Sequence, residues 1–246
     1  MSILNISFTY LFAIAFSLCL FLPCYAKDNN QPNDPDHTFY PYRGLDVSHY
    51  QGVIYWPLVP TNTYKFVYIK ATEGGDFIDK MFKFNWKGAR QTGIKVGAYH
   101  VWNLCKNGPV QAKNFMSVVD KEKDSLPPVI DLEYSGSCKI KERPDRKEFY
   151  AELEKFFILL EKHYQQLPVI YTNYLFYRDY LRGSKYALYP IWIRDVENSP
   201  DPLQVPYWVM WQYTDKQNDV SGIKGNVDVN AVKKDTLFYR TYFEKR

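Results

Sequence analysis

Metal-ligating residues are scarce in this chain. Its 246 residues include 4 His and 4 Cys, and no His/Cys cluster has metal-ligand spacing, so neither a metal nor a cofactor is expected. No Gly-rich phosphate loop accompanies a strand-like run, which argues against a nucleotide site and the open doubly wound sheet that carries one. Long basic runs are missing too. With a net charge of +4, nucleic acid is not an expected partner, although a mildly basic surface is still drawn to an anionic polymer. Internal repeats and low-complexity blocks are absent.

Charge is absent from the beginning of the chain. Residues 1–26 contain no Asp, Glu, Lys or Arg, and 11–22 are almost continuously apolar. That run, followed by the small residues Cys24 and Ala26, reads as a secretory signal peptide cut after Ala26. A membrane span is the competing reading. Its flanks lack the Lys/Arg bias that fixes an orientation, and no stable span is expected once the signal is removed. Leu22-Pro23-Cys24 resembles a lipoprotein cleavage box, with Pro badly placed before the Cys, so lipid anchoring through Cys24 is the second mode of retention. Residues 27–40 have almost no large apolar side chains and read as a flexible leader; residues 41–246 read as one folded domain, expected to be monomeric. Cys105 and Cys138 are the cysteines that survive signal removal, and in an exported protein the default for such a pair is a disulfide.

Eight short runs rich in Val, Ile, Tyr and Trp carry strand signals, at 44–48, 66–70, 95–100, 128–133, 168–172, 190–194, 208–213 and 226–229. Helical stripes separate several of them. One comprises Ile78, Phe82, Asn85 or Trp86, and Ala89, ending before Gly93; another comprises Phe149, Leu153, Phe156, Phe157 and Leu160, opened by Pro144 and Asp145. Weaker helical patterns cover 110–119 and 174–181. Such alternation predicts a parallel sheet covered by helices, and eight strands predict closure of that sheet. The last three runs lie too close together for helices between them. The fold expected is therefore α/β: an irregular TIM-like (β/α)5(β)3 barrel with eight strands and few helices after the fifth. Chemistry in such barrels sits at the C-terminal strand ends, where Asp46, His100, Glu133, Thr172, Gln212 and Asp228 are expected. Lys233, Lys234 and the last three residues read as a solvated tail.

The most informative stretch is Asp131-Leu132-Glu133, which closes the apolar run that begins at Leu126. Residues two apart on a strand share a face, so this strand end presents two carboxylates to one pocket. Burying two acids costs desolvation that a site must put to use. Two carboxylates in unlike environments are the minimum apparatus for acid-assisted cleavage of a glycosidic bond. Asp46 from the first strand and Asp228 from the eighth join them, because those strands are neighbours once the sheet closes. Crowded like charges raise the pKa of at least one member, which then keeps its proton. The aromatic content of 18%, with 22 Tyr and 6 Trp, fills a core first and also suits stacking against sugars.

Nine segments in order give the chain a resemblance to the glycoside hydrolase family 25 lysozymes, the Chalaropsis-type muramidases. They are Gly44-Leu-Asp-Val-Ser-His-Tyr-Gln-Gly, Ile69-Lys-Ala-Thr-Glu-Gly, Val96-Gly-Ala-Tyr-His, Gln111-Ala-Lys-Asn-Phe, Leu126-Pro-Pro-Val-Ile-Asp-Leu-Glu, Val169-Ile-Tyr-Thr, Ile191-Trp-Ile, Trp211-Gln-Tyr-Thr and Val227-Asp-Val-Asn. The resemblance implies cleavage of the β-1,4 bond between N-acetylmuramic acid and N-acetylglucosamine in peptidoglycan, whose glycan strands would be the partner. It implies Glu133 as general acid, and Asp131 as its partner, which either steers the substrate's acetamido group as an internal nucleophile or stabilises the cationic transition state. Asp46 completes the catalytic set. Asp228, Tyr99, Tyr171, Trp192, Trp211 and Gln212 match groove positions that bind substrate. Core packing is the competing reading for the aromatic ones, a structural hydrogen bond that for His100, and a helix-side cap that for Glu73. A chitinase-like barrel and a glycan-binding barrel with lapsed chemistry are the alternative functions. The chain departs from the family at Arg194-Asp195, where members continue after Ile-Trp-Ile with a small residue and an aromatic, so the rim beside the sixth strand is expected to differ.

Overall fold

Strand by strand, the apolar runs form a sheet that closes on itself. The computed structural model describes residues 34–244; the expected signal peptide at 1–26 and the first part of the expected leader lie outside the described residues. The strands are β1 (Tyr42–Val47), β2 (Tyr64–Glu73), β3 (Phe77–Ile78), β4 (Lys95–Val101), β5 (Val129–Leu132), β6 (Val169–Asn173), β7 (Ile191–Arg194), β8 (Trp208–Gln217) and β9 (Val227–Val232). Their order is β1-β9-β8-β7-β6-β5-β4-β2-β3, and a further β1–β2 pairing closes eight of them into a barrel. The ninth, β3, is a two-residue ribbon on the end of β2.

Helices cover the outside where the sequence leaves room for them. They are α1 (Phe82–Gln91), α2 (Gly108–Met116), α3 (Arg146–Tyr164), the short α4 (Tyr174–Phe176), which continues as a π-helical turn over Tyr177–Leu181, and α5 (Leu237–Tyr242). Asp145 caps α3 by accepting from the Glu148 backbone N–H at 2.8 Å, and Phe149, Leu153, Phe156, Phe157 and Leu160 are all buried on its inner face. Ile78 does not open α1 as its spacing suggests. It pairs with Thr72 in β3, and Asp79 turns the chain by accepting from the Met81 N–H at 2.8 Å.

Two further findings differ from the sequence reading. The last strand runs antiparallel to both neighbours, β1 and β8. Only residues 218–226 separate it from β8, fewer than the dozen or more that a parallel return needs, so the chain turns back as a hairpin. Asp228 therefore reaches the mouth from the beginning of its strand. Between Lys234 and the last three residues, where the sequence reading placed no element, the chain forms α5, whose Phe238 is buried together with Phe243 just after the helix. Both join Phe66, Val232 and Tyr42 in a cluster at the floor of the barrel. Lys233 lies with its ammonium 4.2 Å from the Trp208 ring centroid.

Inside, alternate residues of each strand stack in layers. Phe66, Tyr68 and Lys70 share the inner face of β2, and the facing strands make room for the rings. A Cβ on Gly44 would come within 2.4 Å of the Phe66 ring and one on Gly97 within 2.2 Å of the Tyr68 ring, so neither position takes a side chain. Residues 34–40 are also held: Asp34 pairs with Arg43, and the Lys234 N–H donates to the Phe39 carbonyl at 2.9 Å. Cys105 and Cys138, in the loops after β4 and β5, are joined by a disulfide.

Candidate active site

The layer above these aromatics is acidic. Asp46, Asp131, Glu133, Asp215 and Asp228 line a cavity of about 370 Å³ at the C-terminal ends of the parallel strands, together with Tyr99, Val129, Tyr171, Trp192, Arg194 and Gln212. On β5 the alternation is direct: Val129, Asp131 and Glu133 face the cavity, while Ile130 and Leu132 are fully buried on the other side.

The acids have unlike surroundings. Asp46 is buried and its Oδ2 accepts from Gln212 Nε2 at 3.0 Å and Asn230 Nδ2 at 2.8 Å. Burial raises its pKa, and those two donors oppose the rise. Its register partner across β1 and β9 is Asp228. Burial and the Asp46 charge push Asp228 up to about 9, and Asp228 donates its retained proton to Asp46. Glu133 Oε1 accepts from Asn173 Nδ2 at 2.7 Å, which leaves Oε2 without a protein partner in the contacts found among the described residues. Burial raises Glu133; the Asn173 bond and the Arg194 charge act against it. Asp131 has no such support. Its Oδ1 is enclosed yet has no hydrogen-bond partner, and burial followed by the Glu133 charge lifts its pKa well above the usual carboxylate range. Burial thus biases both carboxyls, two residues apart, toward their protonated forms, and the Glu133 charge adds to that bias at Asp131.

Neighbouring side chains hold these groups in place. Tyr171 donates through its hydroxyl to Gln212 Oε1 at 2.9 Å, and Trp192 Nε1 donates to Asn230 Oδ1 at 2.9 Å. Both rings pack on each other, with centroids 5.0 Å apart. Tyr99 lines the cavity and burial raises its hydroxyl pKa, so it stays neutral. Trp211, one residue before Gln212, points the opposite way. It lies 5.8 Å from the Tyr40 ring and donates to the Asp195 carbonyl at 2.6 Å, away from the cavity. His100 is fully buried between Thr72 and Gln111, at 2.8 and 3.2 Å, and burial lowers its pKa to about 4, so it is a neutral structural group. Glu73 is neither cap nor lining residue: it pairs with Lys70, 2.7 Å away, and Lys70 supplies a positive field at Asp131.

Asn173, Asn230, Lys70, Arg194 and Asp215 are the residues that sequence reasoning did not place in the site. Asn230 ends a recognised motif and Asn173 directly follows one, and their roles come from strand register: Asn230 stands opposite Gln212, and Asn173 opposite Arg194. Arg194 was legible only as a departure. It pairs with Asp215 at 2.7 Å and is the cation among the residues lining the cavity.

Comparison with known proteins agrees with this geometry. The sequence profile of glycosyl hydrolases family 25 matches residues 45–223. Lysozyme M1 of Streptomyces globisporus is 32% identical over 197 residues, covering 76% of this chain and 66% of that protein. The uncharacterized protein YegX of Escherichia coli O157:H7 is 33% identical over 197 residues, covering 78% of this chain and 70% of that protein. The structure of a family 25 glycosyl hydrolase from Bacillus anthracis superposes with a TM-score of 0.77 at 34% identity, covering 88% of this chain and 99% of its own.

Proposed function

Because the chain belongs to glycosyl hydrolases family 25 and is a peptidoglycan hydrolase of lysozyme type, we propose that Glu133 is the general acid that protonates the leaving glycosidic oxygen. The observation that carries this reading is the pairing of Glu133 with Asp131 in one enclosed cavity, with Asn173 occupying only one Glu133 oxygen. The remaining oxygen is available to hold and deliver a proton. Asp131 acts on the sugar itself: its unpartnered Oδ1 accepts the acetamido N–H and orients that group as the internal nucleophile. Asp46, whose Oδ2 accepts from Gln212 and Asn230, stabilises the positive charge that develops at the ring. Asp228, Tyr99, Tyr171 and Trp192 shape the groove around one sugar, and Gln212 fixes Asp46.

Export belongs to the same proposal. Residues 1–26 act as a signal removed before the protein works on the cell wall, 27–40 join it to the barrel, and 41–246 act as a single catalytic domain in monomeric form. The uncharged apolar beginning supports the signal, and the Cys105–Cys138 bond suits an oxidising compartment. No helix among the described residues is long and apolar enough to cross a membrane.

Turbidity clearing of purified peptidoglycan, with mass analysis of the released muropeptides, tests the assignment. The mature protein is expected to release fragments ending in reducing N-acetylmuramic acid, and Glu133→Gln to lose at least about a hundredfold in rate, as removal of a general acid does. A Glu133→Gln variant of undiminished rate removes the assignment. Release of chitin oligomers with no action on peptidoglycan favours a chitinase-like enzyme instead.

A further inference from the structure

Arg194 ends β7, and its register neighbours on both sides are site residues: Asn173, which holds Glu133, and Gln212, which holds Asp46. Its guanidinium thus stands in the middle of the cavity wall. One nitrogen donates to Asp215 Oδ2 at 2.7 Å, and no other hydrogen bond of the group is found among the described residues. A guanidinium has five N–H donors in a planar fork. Asp215 therefore anchors one edge and leaves the rest of the fork for a ligand. The side chain is about one-third exposed, enough to meet a ligand and enough enclosed to favour an ionic one over water.

We propose that Arg194 is a specificity-determining residue that binds a carboxylate carried by the sugar at the scissile bond, so that the enzyme prefers glycan whose muramic acid has a free lactyl carboxylate. This inference rests on the peptidoglycan-hydrolase reading above and deepens it. The lactyl group is the anion that such a substrate brings nearest the bond. It is ionised in peptide-free glycan and neutral where a peptide caps it as an amide, which offers the fork an oxygen but no charge. The acids around Arg194 offset part of its charge. Asp215 is its ion-pair partner and Asp46 lines the same cavity, whereas Asp228 holds its proton, so the contact rests on the unfilled N–H donors of the fork, which pair an ionised carboxylate more strongly than a neutral amide.

The test compares peptide-free glycan strands, stripped by an amidase, with intact peptidoglycan from the same wall. For the wild-type protein, kcat/KM on the stripped glycan is expected to exceed that on the intact polymer by about tenfold, through KM, in keeping with a charge-assisted contact. Arg194→Ala brings that ratio close to one, and Arg194→Lys, with charge but no fork, leaves a ratio in between. A ratio unchanged in Arg194→Ala overturns the proposal. A second measurement needs no variant: inhibition of the wild-type enzyme by a disaccharide ending in muramic acid, against the same disaccharide as its methyl amide. The free acid should inhibit about tenfold more strongly; equal inhibition overturns the proposal. If the wild type cleaves both polymers at equal rates, the role of Arg194 fails while the muramidase reading stands. If it cleaves neither, both fail.

Discussion

At the floor of the barrel, Phe243 meets Phe66 edge to face, with centroids 5.4 Å apart, and packs against Phe238 at 6.0 Å, all three rings being buried. At the mouth, the same strands end in five carboxylates, one cation and an enclosed Asp131 oxygen with no partner. One sheet carries both, because side chains on its inner face change from Phe and Tyr to Lys and Asp over two or four residues. Val129 to Asp131 and Phe66 to Lys70 are such transitions. The floor contributes stability by removing apolar area from water. The mouth gives some back, since buried acids favour the folded state only while they hold protons.

Substitutions at the floor and at the mouth should separate stability from activity. The largest separation is expected for Asp131→Asn. It should lower the rate on peptidoglycan about a hundredfold with the melting temperature unchanged or raised, as steady-state rates and calorimetry together would show. The opposite pattern is expected for Phe243→Ala. Removing a buried ring there should cost about 3–4 kcal/mol in urea unfolding while kcat/KM of the folded fraction stays within twofold.

Asp228→Asn should show that a mouth residue is costly to stability. Its folded pKa, about 9, lies above the unfolded value of 3.8. The folded state thus binds the extra proton, and the stability it contributes is complete below pH 3.8 and is lost as pH rises through about 9. The variant escapes that loss. At pH 7 it should melt about 3–6 °C higher than wild type, a gain of about 2 kcal/mol, and near pH 3.5 the difference should vanish. Equal melting at pH 7 would show that the mouth carries no such cost.

The smallest effect concerns Asn173. Its amide lowers the Glu133 pKa, and its Oδ1 also caps α4 by accepting from the Phe176 N–H at 2.9 Å. Asn173→Ser keeps a capping oxygen and removes the amide N–H that Glu133 accepts from. The Glu133 acid should then hold its proton to higher pH, and the alkaline limb of the rate profile should move up by about half a unit to one unit. A limb that moves down, or stays, would contradict the assigned hydrogen bond.

The floor and the mouth were not equally legible in the sequence. Asp131 and Glu133 could be read directly, since strand alternation alone puts them on one face. Asp46 and Asp228 followed once closure made the first and last strands neighbours. The direction of the last strand was missed although the short connection at 218–226 determines it, because parallel alternation was extended one strand too far. Lys70, Asn173 and Asn230 were not legible as site residues. Each acts on a carboxylate supplied by a distant segment, and which residues meet is a matter of register that no local pattern carries. Trp211 shows the converse: a motif residue beside Gln212 whose side chain the same alternation turns away. The floor was hidden because α5 has a weak apolar pattern, Leu237 and Phe238 among Tyr, Arg and Thr with Phe243 just beyond, and its burial depends on the barrel bottom being open to receive it.

Protons kept by carboxyls at the mouth of the free enzyme are central to its chemistry. Carbon-13 carboxyl shifts of Asp46, Asp131, Glu133 and Asp228, followed from about pH 3 to 10, measure this directly. The expected result is that Asp228 and one member of the Asp131–Glu133 pair remain protonated at pH 7. Four ordinary titrations, all complete below about pH 5, would contradict it.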